Sequence, residues 1–400
     1  MSGLPYGESE PDPTAYYYNG RTYVTWAGLD LDPYVAYYTN ATGKWTGPVR
    51  VGSNPLTNDD HGTPVILVDN NGYIHIMYGS HDSAQKYAKS TNPEDISAWT
   101  AMPDPVSSAT YPQLFKDSSG YIHLIYRGPR AGDPSWSDLC EYTTTSTDDG
   151  VTWSSPQCMV NVYAGSLYDR VYVLGSVAYD SARGRVDLAW SFCNNSLGQQ
   201  KNVYYAYLDL ASGNMFSISG RNLGTTINKT EADTYCKVAS SGNGSATDIN
   251  VKIDSSGYPY LIYDTSKGCC DWGWEYNFTR WTGSSWSVPV TIRTAGDRDG
   301  NEFFIHSSKS IEAYLVTQSS ADRGGDIEQW SWNGSTWTKV STVQAQSQVS
   351  YPLNYPIQVV NGVDLKIVFC EINMGAGEYT VSNLRIFAYD GSQFMVKRRS

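Results

Sequence analysis

The chain has 400 residues, only 17 % of them charged, and a formal net charge of −12. An acidic surface of that kind repels a phosphate backbone, which excludes nucleic acid as a partner. Tyr (32), Trp (13) and Gly (36) are abundant, no segment holds a helical apolar period, and no apolar run approaches the roughly 18 residues of a membrane helix. The composition fits a large all-β fold running as one domain through residues 1–400.

From the N-terminus, the polar start MSGLPYGESEPDP has no apolar signal core and reads as a mature start. One form then recurs: an apolar strand, a turn of Asp, Asn, Ser and Gly, and a second strand of alternating aromatic and aliphatic residues. It appears as YYYNGRTYVTWAG (16–28), ILVDNNGYIHIMYG (66–79) and LFKDSSGYIHLIYRG (114–128). It returns as VAYDSARGRVDLAWS (177–191), VKIDSSGYPYLIYD (251–264), FIHSSKSIEAYLVT (304–317) and QVVNGVDLKIVFC (358–370). Second hairpins ending in Trp lie between the copies, as in DGVTWSSPQCMV and TGSSWSVPVTI. Two hairpins per repeat of roughly 40–60 residues are the mark of a four-stranded propeller blade. Seven copies predict a seven-bladed β-propeller, and a two-sheet sandwich would not explain the repetition. STDDGVTW (146–153) fits the Ser-x-Asp-x-Gly-x-x-Trp Asp-box of sialidase-type propellers, and it reads as a blade turn far from any chemistry.

Seven cysteines, few lysines and six Asn-x-Ser/Thr sequons (Asn40, Asn194, Asn228, Asn243, Asn277, Asn333) point to a secreted protein. Cys140 and Cys158 lie equally far from Asp149 in a DDG turn, which predicts a cross-strand disulfide. The pairing of Cys193, Cys236, Cys269, Cys270 and Cys370 is open, and the odd count leaves one thiol free. No His/Cys spacing suggests zinc. The Asp-rich stretches 58–60 and 297–299 offer oxygen ligands for a structural calcium without matching a full calcium motif. No cofactor is expected, and a monomer is.

Three of the five histidines fall in HGTPVILVDNNGYIHIMYGSH (61–81). His75 and His123 hold one place in successive repeats, with Asp187 or Tyr260 there in others, so they read as structural. His61 and His81 have no such counterpart. A hairpin centred on Asn71 pairs residues whose numbers share one sum, and His61 and His81 meet it at the open end. The same geometry sets Tyr111, Tyr126 and Arg127 on that rim in the third repeat, with Arg130 just beyond. The fourth contributes Tyr168 and Arg170, the fifth Asp248 and Tyr263, the sixth a DRDGN loop with Arg298 and Asn301 plus Arg323, and the seventh Tyr355 and Glu371.

A pocket of His, Tyr and Arg without a clear carboxylate pair does not suit the common glycosidase chemistry. It suits β-elimination from a uronic acid, which needs a base for the C5 proton, an acid for the leaving O4 and a cation against the carboxylate. The stretches NDDHGTPVILVDNNGYIHIMYGSHDS, YAKSTNPEDISAW, TYPQLFKDSSGYIHLIYRG and STDDGVTWS resemble the BNR-repeat propellers that include the ulvan lyases. Within them the chain is most similar to the fungal L-rhamnose-α-1,4-D-glucuronate lyases, which remove terminal rhamnose from the glucuronate of gum arabic. The resemblance is most specific over 58–155. It implies a polysaccharide lyase in which His61, His81 and Tyr126 carry catalysis and Arg170, or secondarily Arg127, neutralises the carboxylate. Three other readings stand beside it. An α-L-rhamnosidase would act on the same linkage. A sialidase lacks support in an ordered Arg triad. A sugar-binding propeller would repeat its binding residues, whereas His61, His81 and Tyr126 are expected to occur once each.

Overall fold

The structure is a computed structural model. It describes residues 13–28, 31–56, 59, 61–132, 138–162, 167–168, 170–173, 177–194, 198–266, 273–318, 324–372, 385–389 and 393–397, except for the side chains of 298–299 and 393–397. It is nearly all strand. Each sequence copy is the inner part of an antiparallel meander of four strands. Thr14–Tyr18, Arg21–Ala27, Pro33–Thr39 and Lys44–Arg50 pair in order, and so do Val65–Val68, Ile74–Tyr78, Lys86–Ser90 and Trp99–Ala101. In the first copy Asn19 and Gly20 both take positive φ (46° and 80°), the two-residue turn whose twist matches that of the strands it joins.

Several of the other turns are built around an aspartate. Asp69 accepts hydrogen bonds from the Asn71 and Tyr73 amides at 2.8 and 2.9 Å, and Asp117 and Asp254 do the same in their repeats. The second strand then sends one side chain back to that carboxylate: His75 at 3.2 Å, His123 at 3.0 Å, Tyr260 at 3.3 Å. His75 and His123 are thus buried parts of a repeated turn. Burial lowers the pKa of both below that of a free imidazole, although the aspartates pull the other way.

Apolar side chains pack between neighbouring meanders rather than within one. Ala178, Val203 and Tyr205 of the fourth repeat interlock with Ile249, Val251 and Leu261 of the fifth. The first and last repeats also meet: Thr14–Tyr18 runs parallel to Leu353–Val360, with Ala15 opposite Val359, and the two meanders form one sheet of eight strands. The innermost strands of the first and last repeats are therefore joined, and among the described residues neither end lends a strand to the other meander.

Three expectations are corrected. Residues of the DRDGN segment lie inside one long strand, Val290–Ser307, that passes from the fifth meander to the sixth, not in a loop. Asp297 there accepts from the Asn354 amide at 2.9 Å and from the Gly324 N–H, so it serves packing. Cys140 and Cys158 are free thiols. A bulge shifts the hairpin register, with Tyr142 opposite Cys158 and Glu141 opposite Val160, yet the two thiols stay in hydrogen-bonding contact, which lowers the pKa of Cys140 and raises that of Cys158; Cys269 and Cys270 lie outside the described residues. Among the sequons, Asn194 and Asn277 are buried and Asn228 caps a helix, while Asn243 and Asn333 are exposed.

Candidate active site

The pair sums within Val65–Val68 and Ile74–Tyr78 hold at every step, and the Gly79 N–H donates to the Gly62 carbonyl just past them. The register thus carries His61 and His81 to the same level. Their rings stack with centroids 3.7 Å apart and planes 11° from parallel. Their side chains remain 22 % and 28 % exposed, against 1 % for His75, so a ligand can reach the first two and not the third.

Sequence reasoning missed what holds them. Asp59 places one carboxylate oxygen 2.6 Å from His61 Nδ1 and the other 2.6 Å from His81 Nδ1, and Oδ1 also accepts the His61 backbone N–H. Partial burial pushes the Asp59 carboxyl up, but the bonds from His81 and from the backbone and ring of His61 outweigh it and hold it below the usual range. An ionised carboxylate only accepts, so both Nδ1 atoms carry their protons, and in the neutral form of each ring the lone pair is the one on Nε2. The signal is present as Asp-x-His at 59–61, but within the Asp-rich stretch 58–60 it reads only as a source of oxygen ligands. The ligand atoms of Asp59, His61 and His81 lie within 4.8 Å of one another, close enough to hold a metal ion. The hydrogen bonds account for the same geometry, and a proton on each Nδ1 leaves that atom no lone pair to offer.

Around this cluster the third repeat adds aromatic rings and a buried cation. Tyr111 sits at a bulge with φ 60° and stacks on His61 at 5.8 Å. The Arg127 guanidinium lies between two rings, 4.3 Å from Tyr111 and 4.7 Å from Tyr172. Arg127 is 2 % exposed, so it supplies charge behind Tyr111 rather than a hand to a ligand. Opposite it on the next strand is Glu141, fully buried; desolvation raises its pKa well above the carboxylate range against the pull of Arg127. Arg170 stands two residues before Tyr172, across from Cys193, which packs with Tyr111 and Tyr172. It is partly exposed and makes no ion pair among the described residues, so its charge is open to an anion.

Tyr126 is placed differently from the expected cluster. It projects from the opposite face of its strand to Arg127 and stacks on Tyr142 at 5.6 Å, with no described contact to either histidine. Tyr126 also has counterparts at Tyr78 and Tyr263 in the repeat, so it does not occur once. Arg130 is ion-paired with Asp138 at 3.0 Å, Tyr168 lies under the Lys229 ammonium at 4.8 Å, and Tyr263 is buried in the fifth repeat. Asp248 and Asn301 are bonded to each other at 3.0 Å. The Arg298 side chain and Arg323 lie outside the described residues.

Comparison with known proteins follows the same lines. The model of the BNR repeat-containing family matches residues 15–292. An ulvan lyase of Nonlabens ulvanivorans is 27 % identical over 377 residues, covering 84 % of this chain and 78 % of that protein. An ulvan lyase of Pseudoalteromonas sp. (strain PLSV) is 25 % identical over 381 residues, covering 86 % and 76 %. Among solved structures, a PL25 ulvan lyase bound to -[GlcA(1-4)Rha3S]- superposes with a TM-score of 0.79 at 20 % identity, covering 96 % of this chain and 94 % of that one. The chain shares that protein's fold.

Proposed function

The chain belongs to the BNR repeat-containing family and is a polysaccharide lyase, and we propose that it breaks, by β-elimination, the C4–O4 bond of a glucuronate that carries rhamnose at O4. The observation that carries this is the single carboxylate of Asp59 clamping two stacked imidazoles by their Nδ1 atoms, which fixes the tautomer of both. In the reaction an Nε2 of His61 or His81 takes the C5 proton. The C5–H electrons form the C4–C5 double bond, the C4–O4 bond breaks, and an acid gives O4 its proton. Tyr126 is the acid implied by the family resemblance, and its hydroxyl makes no hydrogen bond among the described residues. Arg170 takes the substrate carboxylate in a fork-to-fork contact, and the Arg127 charge lowers the potential around the enolate-like transition state. A hydrolase on this scaffold would need a second carboxylate beside a water. In the described cluster the carboxylates are Asp59, tied to both rings, and Glu141, buried behind Arg127.

The substrate in this reading is the rhamnose-α-1,4-glucuronate of arabinogalactan side chains such as those of gum arabic. The protein acts outside the cell as a seven-bladed propeller monomer whose seven sequence copies each head one meander. Incubation of the purified protein with gum arabic, with Tyr126→Phe and Tyr111→Phe beside wild type, tests the reading. Rhamnose release is expected from wild type and from Tyr111→Phe, and a loss of roughly 10² or more in Tyr126→Phe. Loss in Tyr111→Phe with full activity in Tyr126→Phe would move the acid to the tyrosine that touches His61.

A further inference from the structure

A second cavity, of about 390 Å³, opens in the fifth repeat, and its lining shares no residue with the histidine cluster. It lies at the open end of its hairpin, where Ser245 pairs with Ser266, as His61 and His81 do in theirs. The repeat explains why it exists. In the third repeat Tyr126 faces Tyr142 across the strands and the two rings stack. In the fifth, Tyr263 takes the place of Tyr126, and the residue opposite is Asn277. The smaller side chain leaves open the volume that a ring fills two repeats earlier. Asn277 itself is used up: it donates to Thr265 Oγ1 and the Glu275 carbonyl at 2.7 and 3.0 Å and accepts from Thr291 at 3.0 Å.

Two groups in the lining are not used up. Tyr263 is 3 % exposed, yet its hydroxyl makes no hydrogen bond among the described residues, whereas a buried tyrosine O–H ordinarily has a partner. The Glu275 carboxylate, partly exposed, makes no hydrogen bond or ion pair among them either. The remaining lining is glycine, hydroxyl, amide and Pro289, with no lysine or arginine among the described residues. Lys201, below the rim, directs its ammonium at the Asn243 and Gly244 carbonyls.

We propose that this cleft is a second carbohydrate site that takes a neutral sugar ring. Adjacent hydroxyls of the sugar donate to the Glu275 carboxylate, the Tyr263 hydroxyl meets a third, and Pro289 covers an apolar ring face. The size fits a mono- or disaccharide, at the small end of the roughly 300–1,000 Å³ of ligand sites. Glu275 repels a uronate or a sulfate ester, and no cation among the described lining residues compensates it. The site therefore differs in ligand class from the one beside Arg170: that one calls for an acidic sugar, this one for a neutral one. On a branched acidic polysaccharide the two would hold different residues of one chain.

The test is ligand-observed NMR titration of the full chain with methyl β-D-galactopyranoside, and with methyl β-D-glucuronide and calcium chloride as contrasts. Millimolar binding of the neutral glycoside is expected, retained in His81→Ala, and weakened about 3- to 10-fold by Tyr263→Phe and by Glu275→Gln, each removing one hydrogen-bonding or charged group at constant shape. Thermal melts of both variants check that the fold is kept. Retention in His81→Ala makes the result independent of the lyase chemistry. Equal binding of the glucuronide, calcium bound in place of sugar, or neutral-sugar binding unchanged in both variants would overturn the proposal.

Discussion

Asp59 is the residue on which the proposed chemistry turns, because one carboxylate fixes the tautomer of two bases. Replacing it with asparagine keeps the shape but leaves an N–H₂ facing one of the two Nδ1–H groups. That ring must turn or shift its proton to Nε2. A fall in kcat of roughly 10² is expected for Asp59→Asn, with the melting temperature close to wild type, since the site is partly exposed. Normal turnover in a folded Asp59→Asn protein would show that the tautomer is set elsewhere. Arg170→Lys is expected to raise KM and lower kcat, because a point charge cannot reproduce the fork; an unchanged kcat/KM would remove Arg170 from the site. At this scale the sequence was legible where strand register decided the answer: the shared pair sum brings His61 to His81. It was not legible where a side chain's face or depth decided it. Register put Arg127 and Tyr126 on one rim, but successive strand residues point to opposite faces, and Arg127 sank between two tyrosine rings.

Each Asp-centred turn ties the two strands of an inner hairpin together, and its histidines make it sensitive to pH. Burial holds His75 and His123 below the pKa of about 6.5 of a free imidazole. The unfolded chain therefore binds protons there that the folded chain refuses, and stability falls as pH drops below about 6.5. Asp69, held below its usual range by His75 despite its burial, adds a further loss as the solution becomes acid enough to protonate it. The melting temperature is expected to decline between neutral pH and pH 5. His123→Tyr, the side chain the fifth repeat uses at Tyr260, should lessen the slope while leaving turnover intact. A slope equal to wild type would place the acid sensitivity in other groups. The turns were legible because Asp, Asn, Ser and Gly recur at fixed offsets. The strand Val290–Ser307 was not, because its polar DRDGN centre reads as a loop until Asn354 of another strand and the Gly324 N–H supply its partners. The expected disulfide is not formed in this structure, although the Cys140 and Cys158 thiols lie in hydrogen-bonding contact across the bulge.

Over the whole molecule, repetition made the architecture readable, while closure became visible only in three dimensions. The apolar cluster that includes Val65 and Leu124 also includes Tyr355, Ile357 and Val359, so the last repeat belongs to the same core as the first ones. Val359 is 1 % exposed beside Ala15 at the joint, and Val359→Asp would bury an unpaired charge at a cost on the order of 3–5 kcal/mol. Cooperative loss of the whole fold on denaturant titration is expected. A melt in which only the last meander comes apart would show that the joint is dispensable. The central claim, elimination rather than hydrolysis at a glucuronate, is tested most directly by following free rhamnose and ultraviolet absorbance together during digestion of gum arabic. The account predicts that both rise in step, because each bond broken leaves a C4–C5 double bond conjugated with the carboxylate. Rhamnose released with no rise in absorbance would mean that water, not a base at C5, breaks the bond, and would contradict it.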